Sequence, residues 1–246
     1  MSAKLSIKPI FVKTRNVGNF EAMMKGLDMA AGEGRFGLVW GRAGRGKTRT
    51  AQYYCANNRH CHYILALKVW RYSQGEFLRT LAKEIGFKNP PHRIGPLFTE
   101  VADRLVKAKP AIFVDEPEKL PKGYIEILRD LTESTGSPII LIGEEELPGI
   151  MRKERRVWSR TFQEVEFNPF GPADIVQYVG AAAGIRFTSP AAIEVMHEAS
   201  GGDIRIVKRD TINLVQILNA KGTAEADEKA VKAAVKFALS ANSAGA

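Results

Sequence analysis

Cysteine is scarce in this chain of 246 residues: there are two, Cys55 and Cys61. Two are too few for a disulfide scaffold and fit a reducing compartment. No apolar run approaches the ~18 residues that a membrane span needs. The opening MSAKLSIKPIFVK lacks the apolar stretch of a secretory signal. Internal repeats and low-complexity segments are missing too. These absences exclude secreted, membrane-spanning and disordered classes, and the expectation is a folded cytoplasmic protein. What is plentiful is core material, at 45% hydrophobic residues, and positive charge, with 36 Lys+Arg against 27 Asp+Glu for a net +9. Such a balance favours acidic partners, nucleotides and nucleic acids among them.

Five short apolar runs read as strands: FGLVW (36–40), HYILAL (62–67), AIFV (111–114), IILI (139–142) and VEF (165–167). The first four are apolar on both faces, as a parallel sheet buried between helix layers requires. Helical patterns lie between them, TRTAQYYCANN, SQGEFLRTLAKEIGF, GPLFTEVADRLVKA and GYIEILRDLTEST. Alternation on this scale implies βαβ units and an α/β fold. Past Phe170 every pattern is helical, with caps and Gly or Pro breaks and no strand candidate. The expected organisation is a core over 1–170, a small all-helical domain over 171–240, and a frayed tail at 241–246.

The strongest chemical signal is Gly41-Arg42-Ala43-Gly44-Arg45-Gly46-Lys47-Thr48, which matches GxxxxGK[ST] straight after a strand and at the opening of a helix. Glycines let the backbone form a nest whose N–H groups point at phosphate oxygens, and the helix N-terminus adds partial positive charge. Residues 41–48 and the adjoining Arg49 are the expected nucleotide-binding segment. In it Lys47 reaches the β- and γ-phosphates and the Thr48 hydroxyl ligates Mg²⁺. The core over 1–170 is thus expected to be a P-loop nucleotide-binding domain.

A second signal is Ala111-Ile-Phe-Val-Asp115-Glu116, an apolar strand that ends in two acids. Asp115 at a strand's carboxyl end can hold the water shell of Mg²⁺. Glu116 beside it can take a proton from an attacking water. Two acids at this place favour hydrolysis over nucleotide binding alone.

With a helical C-terminal part, these motifs resemble the AAA+ ATPases over nearly the whole chain. The resemblance implies a parallel sheet between helix layers, a helical lid domain over 171–240, and ATP with Mg²⁺ as ligands. It gives meaning to Ser200-Gly201-Gly202-Asp203-Ile204-Arg205, similar to the GDxR segment of initiator-like members, in which Arg205 senses the γ-phosphate. Arg160, before the last strand, takes the position of an arginine finger that acts on a neighbouring subunit's nucleotide, with Arg155 and Arg156 as rivals. The family places a neutral polar residue after strand IILIG, whereas this chain has Glu144, followed by Glu145 and Glu146. An ionised carboxylate there repels a γ-phosphate unless it is turned away, protonated or paired.

Within that family the chain resembles the transposition ATPases of the phage Mu B, TniB and TnsC group. The features that carry this are Thr14-Arg15-Asn16, GKTRT, LIGxxEL at 141–147 and SRTFQEVEFNPF at 159–170. The resemblance implies an ATPase that binds double-stranded DNA without sequence preference, assembles into rings or helical filaments, and recruits a transposase. Two other functions stay open: a helicase loader of the same family, and a nucleotide switch with little turnover. Channel-facing segments in such filaments correspond to the stretch holding Lys68, Arg71, Arg79, Lys88 and Arg93, with Trp70 and Tyr72 interleaved. Lys68, Arg71, Lys88 and Arg93 are the candidate DNA contacts. Cys55, His60, Cys61 and His62 lie close in sequence, but their spacing matches no usual zinc finger.

Overall fold

The computed structural model describes residues 4–30, 35–159 and 161–243, and the side chains at 71, 157, 162 and 238–243 lie outside that description. The chain divides into two compact units, one of Asn16–Arg42 and Gly46–Phe167, the other of the described parts of Met1–Arg15, Ala43–Arg45 and Asn168–Ala246.

The first unit holds five strands, β1 (Phe36–Trp40), β2 (Cys61–Leu65), β3 (Ala111–Asp115), β4 (Ile139–Gly143) and β5 (Thr161–Glu166). They form one sheet in the order β2-β3-β4-β1-β5, with every pairing parallel. Helices α1 (Arg15–Met29), α2 (Lys47–Asn57), α3 (Gln74–Glu84), α4 (Ile94–Ala108), α5 (Lys122–Thr135), α6 (Leu147–Lys153) and α7 (Arg155–Trp158) accompany it. The period of two along each strand decides what packs where. Leu38, Ile112, Val114, Ile139 and Leu141 join Phe77, Leu81, Val101 and Leu128 in one core. The alternate residues Val39, Phe113, Ile140 and Ile142 join Phe20, Met23, Met24 and Leu27 in another. Both faces are covered, which is why β1, β3 and β4 read as unbroken apolar runs.

Several elements differ from the sequence expectation, among them β2, which spans Cys61–Leu65 rather than 62–67 and is only half-buried. A helix, α1, precedes β1 where no helix is expected. Its buried Val17, Phe20, Met23, Met24 and Leu27 recur at helical spacing, but Gly18 and Gly26 lower its propensity and tertiary burial overrides that. Strand β5 begins at Thr161 rather than Val165. Among the described residues it pairs only with β1, at the sheet's edge, so its residues are not uniformly apolar. Finally, the basic stretch after β4 contributes to the short helices α6 and α7, which end at Lys153 and Trp158.

The second unit contains α8 (Pro172–Ala183), α9 (Pro190–Ser200), α10 (Ile204–Lys221) and α11 (Glu228–Ser243). Caps set their limits. Ser189 accepts a hydrogen bond from Ala192 N at the start of α9, and Asp203 accepts one from Arg205 N at the start of α10. The helices bury Ile175, Val179, Val207, Leu214 and Val231 together, and Leu5, Ile7, Ile10 and Val12 pack against them. Asn219 secures that N-terminal segment, accepting from Leu5 N at 2.7 Å and donating to Leu5 O at 2.9 Å. Where the sequence offers no strand candidate, a two-residue parallel pair, β6 (Arg186–Phe187) with β7 (Glu225–Ala226), adds to the helices, too short to leave an apolar run. Among the described residues no helix is long and apolar enough to cross a membrane.

Candidate functional site

The strand order brings the carboxyl ends of β3, β4 and β1 side by side: Asp115 pairs with Ile142, and Gly143 with Trp40. The loop after β1, the acids after β3 and the turn after β4 therefore converge on one edge of the sheet. Gly41 has φ 141°, and a Cβ there would lie 2.7 Å from Phe167 O, so only glycine fits. Gly46 enters α2 at φ 90°, left-handed backbone with open space around it. The backbone conformation itself selects that residue.

Lys47 follows at the first position of α2 with 7% exposure. Its amine donates to Gly41 O at 2.5 Å and Arg42 O at 3.0 Å, and Glu144 Oε1 lies 3.7 Å away. Burial pushes its pKa down, while Glu144, Asp115 and Glu118 oppose the shift by attracting the charge. Thr48 Oγ1 donates to Asp115 Oδ2 at 2.6 Å. Tyr63 on β2 donates to the same oxygen at 2.7 Å, and Asp115 is 2% exposed. Burial and Asp115 together raise the Tyr63 phenol, which keeps it a proton donor.

Glu116 occupies left-handed backbone at φ 57°, a conformation that costs a non-glycine residue and is over-represented at functional sites. Its N–H donates to Ile142 O at 2.8 Å, and its carboxylate contacts the Lys119 amine. Glu118 in the following 3₁₀ turn accepts from Glu144 N at 2.6 Å, and burial raises its pKa. Arg42 and Glu145, both well exposed, form an ion pair at 3.3 Å.

The structure thus brings Gly41, Gly46, Lys47, Thr48, Asp115, Glu116 and Glu144 together, and Arg49 lies exposed on α2. Ala43, Gly44 and Arg45 group with the helical unit, where Gly44 O accepts from Ile204 N at 3.0 Å and Arg45 donates to Gly201 O at 2.8 Å. Arg205 in that unit pairs with Asp203 at 2.6 Å, and this bond holds the Asp203 carboxyl below the usual range. Arg160 lies outside the described residues, while its rivals Arg155 and Arg156 are exposed on α7. Sequence reading passed over Tyr63 and Glu118, whose roles depend on the pairing of β2 with β3 and on the turn after Asp115.

Of the candidate DNA contacts, Lys68, Lys88 and Arg93 are exposed. Arg71 has its backbone in a 3₁₀ turn, Lys68–Tyr72, and its side chain lies outside the description. Arg79 donates to His92 O at 3.2 Å. Trp70 is buried in the core beside Phe77, whereas Tyr72 is 85% exposed. Cys55 and Cys61 are free, half-buried thiols.

Comparison with known proteins agrees with this geometry. A model described as an AAA domain matches residues 30–151. The Mu-like prophage FluMu DNA transposition protein B of Haemophilus influenzae is 27% identical over 208 residues, covering 81% of this chain and 70% of that protein. The ATP-dependent target DNA activator B of Escherichia phage Mu is 28% identical over 179 residues, covering 70% of this chain and 56% of its own length. The chain therefore spans little more than half of the phage Mu relative. Among solved structures, the Thermotoga maritima RuvB Holliday junction branch migration motor aligns with a TM-score of 0.59 at 19% identity, over 92% of this chain and 70% of that one. The Cdc6p protein of Pyrobaculum aerophilum aligns with a TM-score of 0.65 at 12% identity, over 91% and 69%. These two likenesses show the fold.

Proposed function

Because this chain is a P-loop AAA+ fold homologous to the Mu-type transposition B proteins, we propose that it couples ATP to target selection in DNA transposition. In this reading it binds duplex DNA without sequence preference, oligomerises on it as a ring or helical filament, and recruits a transposase. The observation that carries the ATP part is the 2.6 Å bond between Thr48 and Asp115 beside the Lys47 amine.

The donor set at that corner fits Mg²⁺, which takes hard oxygen ligands, one or two carboxylates and substrate phosphates. Thr48 and Asp115 would hold the ion, and when bound it neutralises charge on the β- and γ-phosphates. Lys47 donates to the same phosphates from the nest of residues 41–49. Glu116 accepts a proton from the attacking water as the water oxygen bonds to the γ-phosphorus and ADP departs. Tyr63 fixes the rotamer of Asp115 through its shared oxygen. Arg205 reads the γ-phosphate, and Arg160 serves a neighbouring subunit's nucleotide as a finger. Assembly then depends on ATP, because only ATP offers a γ-phosphate to those arginines.

The net charge of +9 supports a phosphate-reading surface, and Lys68, Arg71, Lys88 and Arg93 are its proposed contacts. The test is duplex-DNA binding with ATP, with ADP and without nucleotide, across a salt series. Binding should require ATP, ignore sequence, and weaken with salt at a slope of ~0.9 per phosphate contacted. No DNA binding under any nucleotide overturns the transposition reading and leaves a helicase-loader or switch function.

A further inference from the structure

The turn after β4, Glu144-Glu145-Glu146, is acidic where a phosphate-facing position favours a neutral side chain. Two of its carboxylates face the cations of the phosphate loop: Glu144 lies 3.7 Å from the Lys47 amine, and Glu145 lies 3.3 Å from Arg42 Nε. The backbone of the turn is held in place, since Glu118 accepts from Glu144 N at 2.6 Å. Gly143 permits that approach: a Cβ there would sit 1.9 Å from Glu118 Oε1. A side chain at 143 therefore displaces Glu118 and frees the turn. Among the carboxylates that draw charge toward Lys47, Glu144 ranks foremost.

We propose that this turn is an internal counter-anion for the phosphate loop, a built-in competitor that nucleotide phosphates must displace from Lys47 and Arg42. It lowers nucleotide affinity, and it discriminates against ATP more than ADP because ATP brings an additional phosphate charge toward the same carboxylates. Glu118 is the positioning residue, acting through the backbone of Glu144. The proposal rests on the nucleotide site described above and concerns its regulation.

The experiment is equilibrium titration of the full chain with Mg-ATP and Mg-ADP at fixed ionic strength. It compares three variants that each remove one negative charge, Glu144→Gln, Glu145→Gln and Glu146→Gln. Glu144→Gln should tighten ATP binding about two- to fivefold, the range that a partly exposed ion pair supports, with a smaller gain for ADP. Glu145→Gln should act in the same direction more weakly, since both members of its pair are exposed. Glu146→Gln, which alters the same net charge, should leave both affinities unchanged. An unchanged or weakened affinity in Glu144→Gln overturns the proposal. Equal tightening in Glu146→Gln overturns it too, because the effect is then the general field of the turn. Lys47→Ala reports separately on the nucleotide site: if it keeps wild-type affinity, that reading fails, whatever the glutamates do.

Discussion

Lys47 and Arg205 each stand in the first turn of a helix beside a carboxylate, one in the sheet unit and one in the helical unit. Lys47 is buried, at 7% exposure, and two backbone carbonyls hold its amine as well as Glu144. Arg205 has a side chain 65% exposed, and the acid it meets is the N-cap of its own helix. The first charge is located by the main chain, so it keeps its place whatever happens to neighbouring side chains. The second is located by a side-chain pair and can exchange partners. That difference suits the roles proposed for them, a phosphate anchor at Lys47 and a sensor at Arg205.

Replacing Lys47 should separate the two most strongly. Lys47→Ala removes the buried ammonium, and ATP affinity should fall by at least ~10- to 100-fold, the worth of hydrogen bonds to a charged group. Titration with ATP checks this. Retained affinity would reject the phosphate-loop assignment.

A smaller effect is expected at the other site. Asp203 serves as cap and ion-pair partner at once, so Asp203→Ala should cost about 1 kcal/mol of stability, whereas Asp203→Asn keeps a capping oxygen and should cost less. The pH dependence has a definite sign. Arg205 holds the Asp203 carboxyl below its ordinary value, so its stabilisation is complete above the unfolded-state pKa near ~4 and is lost as pH falls through the folded one. Thermal melts from pH 7 to 3 should show a shallower acid loss in Asp203→Asn than in wild type. Parallel curves would show that the pair contributes nothing to stability.

The phosphate loop was legible because its chemistry demands residue types at fixed spacing: glycines at 41 and 46, then Lys47 and Thr48. Strands β1, β3 and β4 were legible because burial on both faces leaves an unbroken apolar run. Other features depend on partners distant in sequence. Tyr63 meets Asp115 only because β2 pairs with β3 so that Leu65 opposes Asp115. Glu118 meets Glu144 only because β3 and β4 are neighbours. The left-handed backbone of Glu116 carries no compositional signal, since glycine or asparagine would announce it and glutamate does not. Helix α1 hides behind two glycines. The tie from Leu5 to Asn219 joins residues 214 apart in sequence, beyond the reach of any local pattern.

ATP hydrolysis by Glu116→Gln, measured alongside ATP binding, tests the central claim most directly. Glutamine keeps the size of the side chain and removes the proposed proton acceptor just after β3. Binding should persist while turnover falls ~10²- to 10⁴-fold, the contribution of a positioned general base. Turnover within about twofold of wild type would contradict the account, because the acid beside Asp115 would then take no part in the reaction.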